Sequence, residues 1–566
     1  MNDGDRLQGI QRAERQLRAL SNRGFLITCY LLCSMLFVVA RSDREPYDDS
    51  YFFKRTAIHL IETGSLAWNV DEGPTYGNTS LLFQWLAVLA VAITRDYYMT
   101  AVRWLSCAAL AGTFGVLLSI TRRWDRGLSS SLLLLSPAAF FPLLSGMETV
   151  FSLLIVSGVL WLLVAPEGGR QHWSLAPLGT LAVYLVRPDA ALLVVPLLLL
   201  SRWSETRRLP LRELAVLGGG LSAILTLCDL YFGTYLPLPF YAKQAAFSPY
   251  DAGVVQMARF SGYQRFAVFA VFAFPAFVFG LGRRDLTNLT LLLSVATHCA
   301  YHLLGTIDIM GMHGRFYAPS IPLLVIASAR GVSRLLERPV PWLTRGTAIA
   351  FGGLVLAFIA AGVLRVRTGF PLERVGVIFY GSMVPATMLA TWLAGSRADT
   401  LVKGTLGLLL ASAIGNVIVL AGQPASMHSD DEFLDLHTAR YTTCRGIDTL
   451  RKCFGEHIHV YHSEIGIPGL RFLHGEVSDL VGLQSPRWLF REPGSFDAFC
   501  MADRPEAIFL PHKNYRTLNL EITQGECLKR YRRVVEQSSS PLYVREDLYP
   551  RFHMCAKKWP DPWVLP

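Results

Sequence analysis

Two adjacent carboxylates open the segment where chemistry is easiest to place. The run Tyr47-Asp48-Asp49-Ser50-Tyr51-Phe52-Phe53-Lys54-Arg55 predicts a helix that continues to Glu62 and stops at Gly64. One acid at a helix start is explained by capping and the helix dipole. Two in tandem leave a carboxylate for other work. Asp48 could serve as a general base, with Asp49 positioning it or holding a metal. Other ionisable residues recur in short motifs. They are Glu148 in Gly146-Met147-Glu148-Thr149, Arg187 and Asp189 around Pro188, Lys243 after Phe240-Tyr241-Ala242, Asp308, and His313 and Arg315 in His313-Gly314-Arg315-Phe316. Each has a plain structural explanation: a cap for Glu148, a local ion pair for Arg187 and Asp189, a snorkelling cation for Lys243 and Arg315. Their shared level is harder to explain that way. They sit at the same ends of long apolar segments, with few groups such as Asp229 and His298 at mid-segment. An ion or proton path would string such groups through a bilayer, whereas a surface site would gather them.

Those apolar segments are the elements that must position the site. The chain has 566 residues, is 52% apolar and only 17% charged. A soluble domain carries about 25% charged residues. This composition excludes a disordered chain, a disulfide scaffold and an ordinary soluble enzyme, and it predicts a polytopic α-helical membrane protein. Candidate spans lie near 24–40, 99–120, 128–145, 149–165, 173–187, 189–201, 213–232, 264–282, 286–304, 316–332, 347–364, 375–394 and 404–421. That is about 13 spans at the usual length of ~20 residues. The first is read as a retained span rather than a signal peptide.

Charge sets the orientation. Arg6, Arg12, Arg15, Arg18 and Arg23 place the tail 1–23 in the cytoplasm. If Thr79–Thr94 only dips into the outer leaflet, the basic loops at 121–127, 202–212, 283–284 and 330–345 also fall inside. The helical domain then covers 24–422, its first outer loop is 41–98, and residues 423–566 form an extracytoplasmic α/β domain. His457–His462 and Ile508–Leu510 read as strands in that domain. Arg365, Arg367 and Arg374 break the charge rule on the outer side, either as scatter or as a phosphate site. Aromatics of the terminal domain (Trp488, Phe490, Tyr515, Tyr543) suit sugar stacking, although such residues are more often core. Its cysteines suggest the local pairs Cys444–Cys453 and Cys500–Cys527, leaving Cys555 free, and no spacing suggests zinc.

The motifs, taken in order, resemble the GT-C superfamily of polytopic glycosyltransferases, and within it the mycobacterial terminal arabinofuranosyltransferases. The matching elements are Asp48-Asp49-Ser50-Tyr51, Gly64-Ser65-Leu66-Ala67-Trp68-Asn69, Tyr76-Gly77-Asn78-Thr79-Ser80, and residues 146–149 and 187–189. Leu236–Lys243, residues 313–316, Ser463-Glu464-Ile465-Gly466 and Ser478-Asp479-Leu480-Val481-Gly482-Leu483 complete the series. The chain departs at Glu62-Thr63-Gly64-Ser65 and in the rearranged step at 76–80, and its last 80 or so residues match nothing.

The resemblance implies a bacterial inner-membrane enzyme. Its partners would be a polyprenyl-phosphate-linked sugar donor, best guessed as D-arabinofuranose, a glycan or protein acceptor outside the cytoplasm, and membrane lipids. No nucleic acid is expected. Asp48 or Asp49 would take the acceptor's proton, Lys243 and Arg315 with Arg187 would bind the donor phosphate, and Glu148, Asp189 and His313 would contact substrate. A divalent cation (Mg, Mn or Ca) is optional, with Asp49, Glu148 and His313 as candidate ligands. Two other classes stay open: a lipid-linked sugar flippase, which predicts polar groups along a central path, and a glycan polymerase or ligase using a diphosphate carrier.

Overall fold

The computed structural model describes residues 27–39 apart from 29 and 33, 46–121, 137–164, 173–242, 252–282, 286–306, 312–337, 430, 431, 434, 445–512, 515–535 and 540–559. The expected spans at 347–364, 375–394 and 404–421 lie outside the described residues, as do residues 128–136 of the span at 128–145, the Arg365–Arg374 loop, Asp308 and Lys243. Of His313 only the backbone is described.

The helical domain follows the apolar pattern. Helix α1 (Tyr30–Val39) precedes α2 (Ser50–Thr63), α3 (Leu81–Thr94), α4 (Tyr98–Thr121), α5 (Thr149–Leu163), α6 (Ala176–Val186), α7 (Ala191–Thr206) and α8 (Leu211–Phe232). A short α9 (Leu238–Ala242) leads on to α10 (Ala252–Gly282), α11 (Leu286–Ala300) and α12 (Ile321–Glu337). Helix α2 ends at Gly64, whose φ of 77° is open to glycine at little cost. Helix α3 is started by Ser80, whose Oγ accepts from the Phe83 amide at 3.2 Å. A 3-10 turn, Arg95–Tyr97, separates it from α4.

Helix α8 shows what surrounds this domain. Only its Glu213 and Cys228 are buried, while Leu211, Leu214, Val216, Leu227, Leu230 and Tyr231 are exposed. A helix apolar on its open side fits lipid rather than water. Inside the bundle, Asn288 Nδ2 donates to the carbonyls of Gly280 (2.8 Å) and Ala327 (3.3 Å), tying α11 to α10 and α12. A small residue at Gly280 permits this approach: a Cβ there would lie 3.1 Å from that of Ala327.

The terminal domain is a five-stranded sheet flanked by helices. Its strands are β1 (His459–His462), β2 (Glu476–Asp479), β3 (Ala507–Phe509), β4 (Tyr531–Val535) and β5 (Leu542–Arg545), in the order β2-β1-β3-β5-β4. β1 is parallel to β2 and β3, and β5 is antiparallel to β3 and β4. Helices α13 (Ile447–Phe454), α14 (Gly466–Arg471), α15 (Pro486–Leu489), α16 (Phe496–Asp503), α17 (Arg516–Gln524) and α18 (Tyr549–Lys558) complete it.

The expected Cys500–Cys527 disulfide is present. The other pairing is corrected: Cys453 bonds Cys555, which is therefore not free. Cys453 lies near the end of α13, which packs along α18, so the tertiary neighbour replaces the local one. Cys444 lies outside the described residues. Trp488 and Tyr515 are core, whereas Phe490 is exposed and meets Tyr241 edge-on at 5.6 Å.

The terminal domain and the first outer loop share one hydrophobic core. Tyr51, Phe52, Phe53 and Trp68 pack in it with Phe83 and Val91 of α3 and with Ile465, Ile467, Phe472 and Val477. Arg55 anchors this joint. Buried, it donates to the carbonyls of Trp68 (2.8 Å), Phe472 (2.9 Å), Gly475 (2.8 Å) and Gly469, and to Asn69 Oδ1. Trp68 Nε1 in turn donates to Val477 O at 2.7 Å. Lys54 and Asp430 form a second buried tie at 2.7 Å, and Asp430 also accepts from the first two amides of α4.

Candidate functional site

Asp48 and Asp49 precede α2 as expected, but neither caps it: Asp49 stands at the capping position without a side-chain hydrogen bond to the helix. The two acids face different partners. Asp48 accepts from the Gly466 amide at 3.0 Å and the Ile467 amide at 2.9 Å, one on each carboxylate oxygen. The approach is tight, since a Cβ on Gly466 would lie 2.2 Å from the Asp48 carbonyl oxygen. Burial and the charge of Asp49 push the Asp48 carboxyl up to about 7, against the pull of those amides. Asp49 is 27% exposed, and its Oδ2 lies 3.8 Å from Arg315 Nη2.

Arg315 is nearly fully buried, and among the described residues its Nε and Nη1 have no hydrogen-bond partner. Its guanidinium lies over Tyr47 (5.2 Å) and Phe316 (5.3 Å). Phe316 is also under Arg187, at 5.1 Å. Arg187 is buried, bonds Asp189 at 3.0 Å, and lies 3.7 Å from Glu148. Glu148, like Asp49, stands at the capping position just before a helix without a side-chain hydrogen bond to it. Both side chains that were candidates for capping turn to arginines instead.

Glycines make the approach possible. Gly146 has φ 70°, and a Cβ on it would meet Ser50 Cβ at 3.0 Å, so the Gly-Met-Glu turn lies against the residue after Asp49. The Tyr47 amide donates to Ser145 O at 3.0 Å and ties the same two segments.

The structure therefore brings Asp48, Asp49, Glu148, Arg187, Asp189 and Arg315 into one connected group. Two buried guanidiniums with unused N–H donors flank one ring, with acids beside them. A phosphate would satisfy those donors. The segment before Lys243 approaches from another side: the Leu238 amide donates to Tyr76 O at 2.8 Å, and Ala242 packs with Leu489 of the terminal domain.

Three contributors escaped sequence reasoning. Glu464 stands with Asp48, Asp49 and Asp479; its carboxyl is pushed up to about 8 by burial and by their charges. Its motif was visible, but nothing in its spacing marked it as facing residues more than 400 positions earlier. His302 bonds Asp189 at 2.9 Å, and His298 is 3.7 Å from the same carboxylate. Their i, i+4 spacing at the end of an apolar helix was the available signal. Among the described residues Asp189, His298 and His302 supply the one cluster of metal-ligand type, with ligand atoms within 4.8 Å of one another. Of the other candidate ligands, Asp49 lies 3.8 Å from Arg315 and Glu148 3.7 Å from Arg187.

No protein-family profile matches the chain, and no curated protein is significantly similar to it. Solved structures are. The chain superposes on ArnT from Cupriavidus metallidurans bound to undecaprenyl phosphate with a TM-score of 0.52, covering 92% of this chain and 98% of that one at 14% identity. The apo state gives a TM-score of 0.54 at 15% identity, with 93% and 98% covered. The chain has the ArnT fold. That fold, in this chain a helical domain followed by an α/β domain, is shared over nearly the whole length of both proteins.

Proposed function

We propose that the chain is a membrane glycosyltransferase that moves a sugar from a polyprenyl-phosphate carrier to an acceptor hydroxyl outside the cytoplasm. The observation that carries this is Asp49 facing Arg315 beside Arg187 and Phe316, in a fold shared with a protein that binds undecaprenyl phosphate. The chemistry needs both halves. The acceptor oxygen attacks the anomeric carbon, the bond from that carbon to the phosphate oxygen breaks, and the lipid phosphate leaves with the electron pair. Arg315 and Arg187 neutralise the charge that grows on it. The acceptor's proton goes to a carboxylate.

We assign that carboxylate to Asp49. Its oxygen shares space with Arg315, whereas both Asp48 oxygens already hold amides of the terminal domain. Asp48 then positions the loop. From their motifs we assign Lys243 to the donor phosphate and His313 to the substrate; Glu148 orients Arg187, and Asp189 holds it from the other side. The sugar we favour is D-arabinofuranose, on the order of the motifs. The acceptor is a glycan or glycoprotein of the cell envelope, and the terminal domain faces the periplasm with the N-terminus in the cytoplasm.

The test uses purified full-length protein and a panel of polyprenyl-phosphate sugars, read by mass spectrometry. Release of lipid phosphate with glycosylation of an added acceptor is expected. Movement of intact labelled lipid across a vesicle, with no bond broken for any donor, would establish the flippase instead.

A further inference from the structure

Behind the arginines lies a second constellation with its own chemistry. Asp189 follows Pro188 in the 3-10 turn that starts α7. His298 is in the last turn of α11, and His302 is in the π-turn Tyr301–Gly305 that continues it. Single π-turns inside helices occur frequently at functional sites. The i, i+4 spacing puts both imidazoles on one face, and that face meets Asp189. His302 Nε2 is 2.9 Å from Asp189 Oδ2 and His298 Nε2 is 3.7 Å from it.

We propose that Asp189, His298 and His302 bind a divalent transition-metal ion, zinc foremost, that clamps the start of α7 to the end of α11 beneath Arg187 and Phe316.

Four observations carry this. The ligand atoms fall within 4.8 Å of one another, and the two measured separations bracket the ~3.3 Å expected between ligands of a tetrahedral zinc with bonds of about 2.0 Å. His298 is fully buried, yet among the described residues its Nε2 has no hydrogen-bond partner, Asp189 Oδ2 standing 3.7 Å away. A buried nitrogen left in that state costs stability, and a metal removes the cost. The other ring nitrogen, Nδ1, lies 3.0 Å from Ser320 Oγ. A proton held there fixes the ring and leaves the Nε2 lone pair facing the cluster. Arg187 Nε lies 3.0 Å from each Asp189 oxygen and orients the carboxylate.

The donor set decides the ion. Two imidazoles with one carboxylate suit zinc and its neighbours, whereas magnesium and calcium prefer oxygen. The charge of Arg187 opposes a dication, but Glu148 at 3.7 Å offsets it. On binding, the proton shared by His302 and Asp189 is released to solvent. Asp189 is shared with the sugar-transfer site, but metal binding is measured directly and stands whether or not that activity is found.

The experiment strips full-length protein in detergent with a chelator, dialyses it against zinc, and counts bound metal by mass spectrometry. About one zinc per chain is expected. The double variant H298A/H302A should lose it, or bind at least tenfold more weakly. The control H457A/H474A, a stacked pair in the terminal domain, should retain it. Because the double variant could misfold, wild type is also loaded with cobalt, which should give the absorption bands of a four-coordinate nitrogen and oxygen site. Wild type that takes up no stoichiometric zinc overturns the proposal. So do unchanged affinity in H298A/H302A, loss of zinc in H457A/H474A, or a cobalt spectrum lacking those bands.

Discussion

Asp48 and Asp49 are neighbours in sequence with opposite environments. Asp48 is closed off by two amides of the terminal domain, while Asp49 opens toward Arg315. Asp49→Asn keeps the shape and removes the proton acceptor, so turnover should fall by ~10²-fold or more while donor binding persists. Transfer measured under saturating donor checks the first, and equilibrium binding of the lipid-linked sugar checks the second. If D49N is active and a well-folded D48N is dead, the assignment reverses. Arg315→Lys is the complementary variant: it keeps the charge but loses the fork of donors and the flat contact with Phe316 and Tyr47. Donor affinity should weaken by ~10-fold or more, given about 1.5–3 kcal/mol for a charged hydrogen bond. The sequence marked these positions well because residue type alone signals them. It could not decide between capping and catalysis, since that depends on which way Asp49 and Glu148 turn. Glu464, His298 and His302 join the cluster only through folding.

At the scale of elements, the first outer loop and the terminal domain act as one unit. Arg55 is its key, and Arg55→Met would leave the carbonyls of Trp68, Gly469, Phe472 and Gly475 without this donor. At about 1–3 kcal/mol for each unsatisfied buried group, the joint should open, which limited proteolysis of the terminal domain would report.

The acids of the joint give it a pH dependence. Asp48 and Asp479 are pushed up to about 7 and Glu464 to about 8, chiefly by burial. All three are raised above their unfolded values near 4, so the docked state holds more protons than the undocked one between about pH 4 and 8. Docking should therefore be tightest toward pH 5 and loosen as pH rises through 7 to 8. Proteolysis rates at pH 5.5 and 8.5 measure it; faster cutting at the lower pH would contradict the assignment. Helix boundaries were legible from apolar runs and glycine stops, as in α2, which runs from Ser50 to Thr63 and ends at Gly64. The joint was not, because it pairs segments that no local pattern relates.

For the whole molecule, the shared core changes how truncation should be read. Removing residues 430–566 would expose Tyr51, Phe52 and Trp68 and leave Lys54 without Asp430. Loss of acceptor use alone is therefore not the expected outcome; loss of all activity is. The Cys453–Cys555 disulfide spans 102 residues and closes the terminal domain from end to end. Loop entropy assigns such a bridge about 4–5 kcal/mol. Mild reduction, or Cys453→Ser, should lower the unfolding temperature of the terminal domain, as followed by calorimetry. Sequence spacing found the short-range bridge and missed this one, because only the docking of α13 on α18 brings the two cysteines together.

Arg55 reaches Phe472 across 417 positions of chain. Ribosomes deliver residue 55 long before residue 472, so the loop that carries Asp48 and Asp49 stays without its partner through most of translation. On the function proposed above, the last part of the chain to be made is the one that completes the first.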